Sequence, residues 1–85
     1  MTNERIGAYL LEHAKQLARE GDNLYRIRAY RHAGFEVART TRPLRDLFAQ
    51  FGRKGLESLP GIGRSIAVTI AELLTSGEGE SRKVA

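Results

Sequence analysis

The chain has 85 residues and contains no cysteine, no tryptophan and only two prolines. Without cysteine it can form neither a disulfide nor a thiolate metal site, so nothing indicates an oxidising compartment. No apolar run approaches the roughly 18–20 residues that a membrane-spanning helix needs, and the first residues lack the apolar segment of a signal peptide. These absences favour one small intracellular domain, which we expect in the cytoplasm without a membrane partner.

Acidic residues are scarce in the middle of the chain. The formal net charge is +4, and only three of the 14 basic residues are lysine. Between residues 24 and 64 the acids are Glu36, Asp46 and Glu57, and arginines outnumber them. Arginine binds phosphate through two parallel hydrogen bonds, so a basic middle favours a polyanionic partner. A solvated arginine-rich surface has the same composition, and charge alone does not separate the two interpretations.

Helical spacing dominates the apolar pattern, because apolar residues recur at intervals of three and four and β-branched residues do not alternate. The pattern predicts an all-α fold, a compact bundle of four to five helices. We expect Thr2 or Asn3 to cap the first helix, Asp22 or Asn23 to cap the second, and Pro43 to lie in the first turn of the third. A brief fourth helix precedes Leu59 and a fifth follows Gly63. The residues predicted to face inward are Ile6, Leu10, His13, Ala14, Leu17, Ile27, Tyr30, Gly34, Val37, Ala38, Leu44, Leu47, Phe48, Phe51, Leu56, Leu59, Ile66, Ala67, Ile70, Leu73 and Leu74.

The segment Leu59–Gly63 reads Leu-Pro-Gly-Ile-Gly and is followed by an apolar-periodic stretch. Two glycines around one apolar residue permit a tight turn, with Ile62 pointing into the core. The turn opens into a helix whose first N–H groups have no partner within the helix, and such groups suit a phosphate oxygen. This is the pattern of a helix-hairpin-helix, and it predicts binding to a nucleic-acid backbone without sequence readout. We place it in a single domain over residues 1–78, followed by a flexible polar tail over 79–85.

A second stretch, Asn23–Ala33, reads NLYRIRAYRHA. Together with the hairpin, in this order and at this separation, it resembles the amino-terminal domain of the family X DNA polymerases, the DNA polymerase beta family, most closely its bacterial and archaeal members. The resemblance covers roughly residues 4–78. It implies a small helical bundle that acts in DNA repair and grips the 5′-phosphate on the downstream side of a gap.

The resemblance also implies roles for individual residues. Arg26 matches a basic residue on the 5′-phosphate, Tyr30 a tyrosine of the same pocket, and Tyr25 a ring that stacks on a template base. Gly61 and Gly63 match hairpin glycines whose backbone meets DNA phosphates. With their basic neighbours, the predicted DNA-binding residues are Tyr25, Arg26, Arg28, Tyr30, Arg31, His32, Gly61, Ile62, Gly63, Arg64 and Ser65.

The carbonyl groups of Glu57, Leu59 and Ile62 match positions that hold a monovalent cation, Na⁺ or K⁺, between hairpin and phosphate. No other cofactor is expected. His13 and His32 have no ligand partner at metal spacing, so the sequence does not predict a zinc site.

The resemblance fails at the residues that would carry chemistry. Some members of the family remove a 5′-deoxyribose phosphate through a lysine Schiff base, and that lysine position is Thr69 here. A supporting lysine position is Ser65. Covalent lyase chemistry needs an activated primary amine, and the chain has no counterpart of the polymerase palm. We therefore expect a binding domain rather than an enzyme, either a stand-alone domain or a fragment of a longer protein.

Two alternatives stay open. A residual lyase could use Lys54 or the amino terminus, or the bundle could be a monomeric interaction module for repair proteins. A further open point concerns Phe35, which shares one predicted face with Arg28, Arg31, His32 and Arg39. Its ring could stack on a base, cover a partner, or pack against the third helix. The preferred interpretation is a monomer that binds gapped or 5′-phosphorylated DNA without sequence specificity and associates with the nucleoid.

Overall fold

The computed structural model describes residues 1–84, with side chains described for residues 1–76. Over this range the chain is all-helical, and its elements are α1 (Asn3–Arg19), α2 (Leu24–Arg39), α3 (Leu44–Phe51), α4 (Arg53–Glu57) and α5 (Arg64–Val84). The predicted bundle of four to five helices is confirmed. The predicted tail over residues 79–85 lies outside the residues whose side chains are described.

Local capping chemistry sets the ends of the first two helices. The Thr2 hydroxyl accepts a hydrogen bond from the Arg5 N–H at 3.2 Å, and the Asn23 side chain accepts one from the Arg26 N–H at 2.8 Å. Each bond satisfies an N–H that has no partner within its helix. At the end of α1, Gly21 has a φ of 74°, a left-handed conformation that glycine adopts without steric cost. The chain therefore reverses between α1 and α2 where the sequence predicts.

Helices α1 and α2 pack closely because two glycines face each other. A Cβ at Gly7 would lie 2.8 Å from the Gly34 carbonyl oxygen, and a Cβ at Gly34 would lie 2.7 Å from Leu11 Cγ. At Gly7 the nearest atom is a backbone oxygen, so this helix spacing needs glycine there, whereas a Cβ at Gly34 would require the Leu11 side chain to move. The apolar spacing predicts Gly34 on the inward face of α2, but it contains no signal for the contact with Gly7.

The core lies between the α1–α2 pair and the remaining helices. Among the residues whose side chains are described, sixteen hydrophobic residues are buried. Most follow the predicted stripes, but Ala33 is fully buried whereas Ala38, predicted at the edge of the α2 stripe, is exposed. Fifteen of these residues form one cluster: Ile6, Leu10, Ala14, Leu17, Ile27, Tyr30, Ala33, Val37, Leu44, Leu56, Ile62, Ile66, Ala67, Ile70 and Leu74.

The prediction that Phe51 faces inward is wrong, since 55% of its surface is exposed. The reason lies in the joint between α3 and α4. A Cβ at Gly55 would lie 2.7 Å from the Leu47 carbonyl oxygen and 2.9 Å from Phe51 Cβ, so the α4 backbone fills the space beside the end of α3. The Phe51 ring is left outside the core.

The side chain of Asn3 connects the start of α1 to the loop before α3. Its amide nitrogen donates to the carbonyl oxygens of Thr40 at 2.9 Å and Arg42 at 2.8 Å, and its oxygen accepts from the Leu44 N–H at 2.8 Å. Pro43, at the N-cap of α3, has no side-chain cap bond. Asn3 therefore caps α3 from a distant part of the chain, in addition to starting α1.

Candidate nucleic-acid interface

The segment Leu59–Gly63 forms a tight turn between α4 and α5. The Ile62 N–H donates to the Leu59 carbonyl oxygen at 3.1 Å, and Gly61 has a φ of 79°. Proline at the second position of a turn and a left-handed glycine at the third are the signature of a type II turn. Ile62 is 4% exposed and anchors the turn in the core. The predicted hairpin is therefore present, and its apolar residue points inward.

The turn leads directly into the amino-terminal end of α5. The Ala67 N–H donates to the Gly63 carbonyl oxygen at 2.9 Å, which makes Gly63 the N-cap. Among the described residues, no acceptor bonds the N–H groups of Arg64, Ser65 and Ile66. These groups lie at the positive end of the helix dipole, an arrangement that suits an anion.

The two hairpin glycines have different surroundings. A Cβ at Gly61 would overlap the ring of His32, with 2.7 Å to Cε1, so α2 packs directly on the turn. A Cβ at Gly63 would meet no atom within 4 Å, and Gly63 does not have a positive φ. The fold therefore requires glycine at position 61 but not at position 63, where the missing side chain leaves open space in front of the helix end.

A cavity of about 230 Å³ lies between the first two turns of α2 and the hairpin. It brings together residues that are separated by more than thirty positions in the sequence. Seven of the predicted DNA-binding residues line it, with Ala29 and Ile66 as further neighbours: Tyr25, Arg26, Tyr30, Gly61, Gly63, Arg64 and Ser65. The two motifs of the sequence therefore meet at one surface.

Tyr30 forms the inner wall of this cavity and is mainly a core residue, with 5% of its surface exposed. Its hydroxyl is 3.2 Å from Thr69 Oγ1, and the Thr69 hydroxyl donates to the Ser65 carbonyl oxygen at 3.3 Å. The His13 ring meets the Tyr30 ring edge-on, with 4.6 Å between centroids. Thr69, where the resemblance would place a lysine, thus forms a neutral hydrogen bond that fixes Tyr30.

Arg26 lies at the cavity and is paired in the free protein. Its Nη1 is 3.0 Å from Asp22 Oδ2, and its side chain remains 48% exposed. Asp22 lies just before the N-cap Asn23 and four residues before Arg26, so the pair is local in the sequence. An exposed pair of this kind contributes little stability, so a phosphate can share the guanidinium at small cost.

The other predicted residues take different positions. Arg28 and Arg31 are exposed on α2 but do not line the cavity, and no acid among the described side chains pairs with them. His32 contacts the hairpin at Gly61. Phe35 is 59% exposed, so much of its ring is available at the surface. Tyr25, at 83%, is the most exposed of the large hydrophobic side chains at the site.

The backbone carbonyls of Glu57, Leu59 and Ile62 are the positions predicted to bind a cation. The Leu59 carbonyl already accepts the Ile62 N–H, which leaves one lone pair for a ligand. The Glu57 carboxylate is 3.4 Å from Arg53 Nε and so is directed to its own helix. Over the described residues no cluster of His, Cys, Asp or Glu could hold a metal ion. A monovalent cation on backbone carbonyls stays a prediction.

Comparison with known proteins identifies a family for this chain. A family model described as a helix-hairpin-helix domain matches residues 1–79. Domains of this type are generally associated with DNA binding that is not sequence-specific. No curated protein and no solved structure matches the chain. Among the described helices, none is long and apolar enough to cross a membrane.

Proposed function

We propose that the chain, which belongs to the helix-hairpin-helix domain family, binds DNA at gaps or ends that carry a 5′-phosphate, without reading the sequence. The observation that carries the proposal is the cavity between α2 and the hairpin. Its lining includes Arg26 and Arg64 together with Ser65 and Ile66, whose N–H groups at the start of α5 have no acceptor among the described residues. Charged and backbone donors then converge on one small space, which suits a phosphate.

The preference for a terminal phosphate rests on charge and shape. A terminal phosphate carries more negative charge than a phosphodiester and is attached to sugar on one side only. It can therefore enter the cavity of about 230 Å³, while an internal phosphate remains at the rim. The resemblance to the amino-terminal domain of the family X DNA polymerases supports the same preference and a role in repair. Phosphate contacts position a protein on DNA without specifying sequence.

The proposed activity is binding rather than catalysis. Thr69 and Ser65 occupy the positions where the resemblance would place lysines, and a hydroxyl cannot form a Schiff base. Lys54 lines a different groove, between α3 and α4, and is absent from the cavity wall. We expect no covalent adduct when the protein is incubated with an incised abasic site and borohydride. An adduct that persists when Lys54 is replaced by Gln would assign lyase activity to another amine.

The proposal is tested by fluorescence anisotropy with gapped DNA, prepared with and without a downstream 5′-phosphate, at two salt concentrations. We expect tighter and salt-sensitive binding to the phosphorylated gap. Equal affinity for both DNAs would reduce the proposal to general helix-hairpin-helix binding. Absence of binding to either would remove DNA binding as the function and favour an interaction module.

A further inference from the structure

A second concave surface lies between α3 and α4. It is a groove with a volume of about 510 Å³, lined by Arg42, Leu47, Phe51, Lys54, Gly55 and Ser58. None of these residues lines the cavity beside the hairpin. The groove is therefore a separate surface that the DNA-binding proposal does not use.

The groove has an apolar wall that the fold leaves uncovered. Leu47 is buried, while Phe51 exposes 55% of its surface. Gly55, which also lines the groove, lets the α4 backbone pack closely against the Leu47 carbonyl. A large apolar side chain in a concave surface is typical of an interaction site.

Cations flank this apolar wall. The Arg42 guanidinium lies over the Phe51 ring, 5.9 Å from its centroid, and its Nη2 donates to Gln50 Oε1 at 2.7 Å. Its main-chain carbonyl is held by Asn3. Lys54 lies on the lining as well, and no acidic residue does. Among the described side chains, neither Arg42 nor Lys54 forms an ion pair.

We infer that the groove between α3 and α4 docks an acidic peptide segment of a protein partner. One apolar side chain of the peptide packs between Phe51 and Leu47, and its carboxylates pair with Arg42 and Lys54. Aromatic and arginine side chains are enriched where protein interfaces concentrate their binding energy. A nucleic-acid strand is the less suitable occupant, because Arg28 and Arg31, which are exposed on α2, do not line this groove.

The experiment uses the whole chain and a short labelled peptide with one central phenylalanine flanked on both sides by aspartates. Anisotropy measures its affinity, and amide chemical shifts locate it. We expect binding with the largest shifts over residues 47–58, and a loss of about fivefold or more for Phe51→Ala or Lys54→Gln. The same peptide with serine in place of phenylalanine should lose a similar factor. Gapped DNA that saturates the hairpin should leave peptide affinity unchanged.

Tyr9→Ala and Arg39→Gln are matched controls, since Tyr9 is 44% exposed on α1 and Arg39 is exposed on α2. We expect both to bind the peptide like the wild type. Because Phe51 is exposed, its replacement should leave the circular dichroism spectrum unchanged. The Lys54→Gln variant and the serine peptide test the groove without any change at Phe51. The inference is overturned if the wild type does not bind the peptide, if controls and groove variants lose affinity equally, or if single-stranded oligothymidine displaces the peptide.

Discussion

At the residue scale, the two hairpin glycines show how one residue type serves different purposes. Gly61 adopts a positive φ and lies against His32, so both its backbone and its lack of a side chain are needed for folding. Gly63 has neither constraint. On our proposal, glycine at this position keeps the space in front of the free N–H groups of α5 open for a phosphate. The two positions should therefore respond differently to substitution.

Replacing Gly63 by Ser is expected to weaken DNA binding without destabilising the fold. Serine is a good N-cap, and its hydroxyl would accept a hydrogen bond from an N–H of the first turn of α5. That N–H would then no longer be free to bind a phosphate. We expect the free energy of unfolding in urea to stay within about 0.5 kcal/mol of wild type. Anisotropy with 5′-phosphorylated gapped DNA should show a clear loss of affinity.

Gly61→Ala provides the contrasting variant. The positive φ and the His32 contact together should lower the free energy of unfolding by about 1–3 kcal/mol. If Gly63→Ser retained full DNA affinity, the N–H groups of α5 would not be the phosphate site. If Gly61→Ala were as stable as wild type, the turn would not have the conformation described.

Arg26→Gln is expected to weaken binding to the phosphorylated gap about tenfold, since a hydrogen bond to a charged group contributes about 1.5 kcal/mol. Arg39→Gln is the matched control, because Arg39 also forms an exposed ion pair on α2, with Glu36 at 2.9 Å. The two residues are about 20 Å apart along the helix. Anisotropy should show the loss for Arg26 and a much smaller change for Arg39. Equal losses would mean that general charge, rather than the cavity, determines affinity.

The residues of the site differ in how well the sequence predicts them. The turn at Leu59–Ile62 depends on proline and glycine chemistry within four residues, so its conformation can be derived locally. The burial of Tyr30 and its bond to Thr69 join residues 39 positions apart, and no local pattern contains that distance. The pair of Arg26 with Asp22 joins residues only four positions apart, so the sequence contains it as a local pattern.

At the element scale, α1 and α2 form a close pair, and α3 and α4 form a second unit attached to it through Asn3. Helix periodicity predicts both the number of helices and most of their buried faces, because apolar spacing is a local property. It does not predict which helices pack together. The Gly7–Gly34 contact, the Asn3 bonds to the loop before α3 and the exposure of Phe51 all depend on tertiary approach.

Asn3→Ala is expected to lower the free energy of unfolding by about 1–3 kcal/mol, because it removes three hydrogen bonds and leaves the Leu44 N–H without its partner. Urea denaturation measures the effect. Asn23→Ala is the control for loss of an ordinary N-cap and should cost about 1 kcal/mol. The native fraction of Asn3→Ala should bind DNA like the wild type. A cost no greater than a few tenths of a kcal/mol would show that Asn3 does not hold the loop.

At the scale of the whole molecule, the two proposed binding surfaces are separate. The hairpin cavity and the groove between α3 and α4 share no lining residue. The first concentrates anion donors, and the second combines cations with an exposed aromatic ring. A small basic domain could thus hold a DNA end while a protein partner occupies the groove. The charge distribution along the sequence indicates a polyanionic partner but does not separate these surfaces, because arginines from both lie in the same basic middle of the chain.

DNA affinity should fall steeply with salt, because binding through phosphates releases counterions. Engagement of about three to five phosphates predicts a slope of log affinity against log salt of roughly −3 to −4.5. Anisotropy titrations over a range of sodium chloride concentrations measure this slope. Removal of Arg26 should make it less steep by about one. A slope near zero would rule out binding through phosphate charge.

The most direct test is a backbone amide chemical-shift titration of the labelled protein with gapped DNA carrying a 5′-phosphate. We predict that the largest shifts fall on the amides of Gly61–Ile66 and on the start of α2 at Tyr25 and Arg26, and that they shrink when the 5′-phosphate is removed. Largest shifts over α3 and α4, with the hairpin amides unmoved, would contradict the assignment of the cavity as the phosphate site.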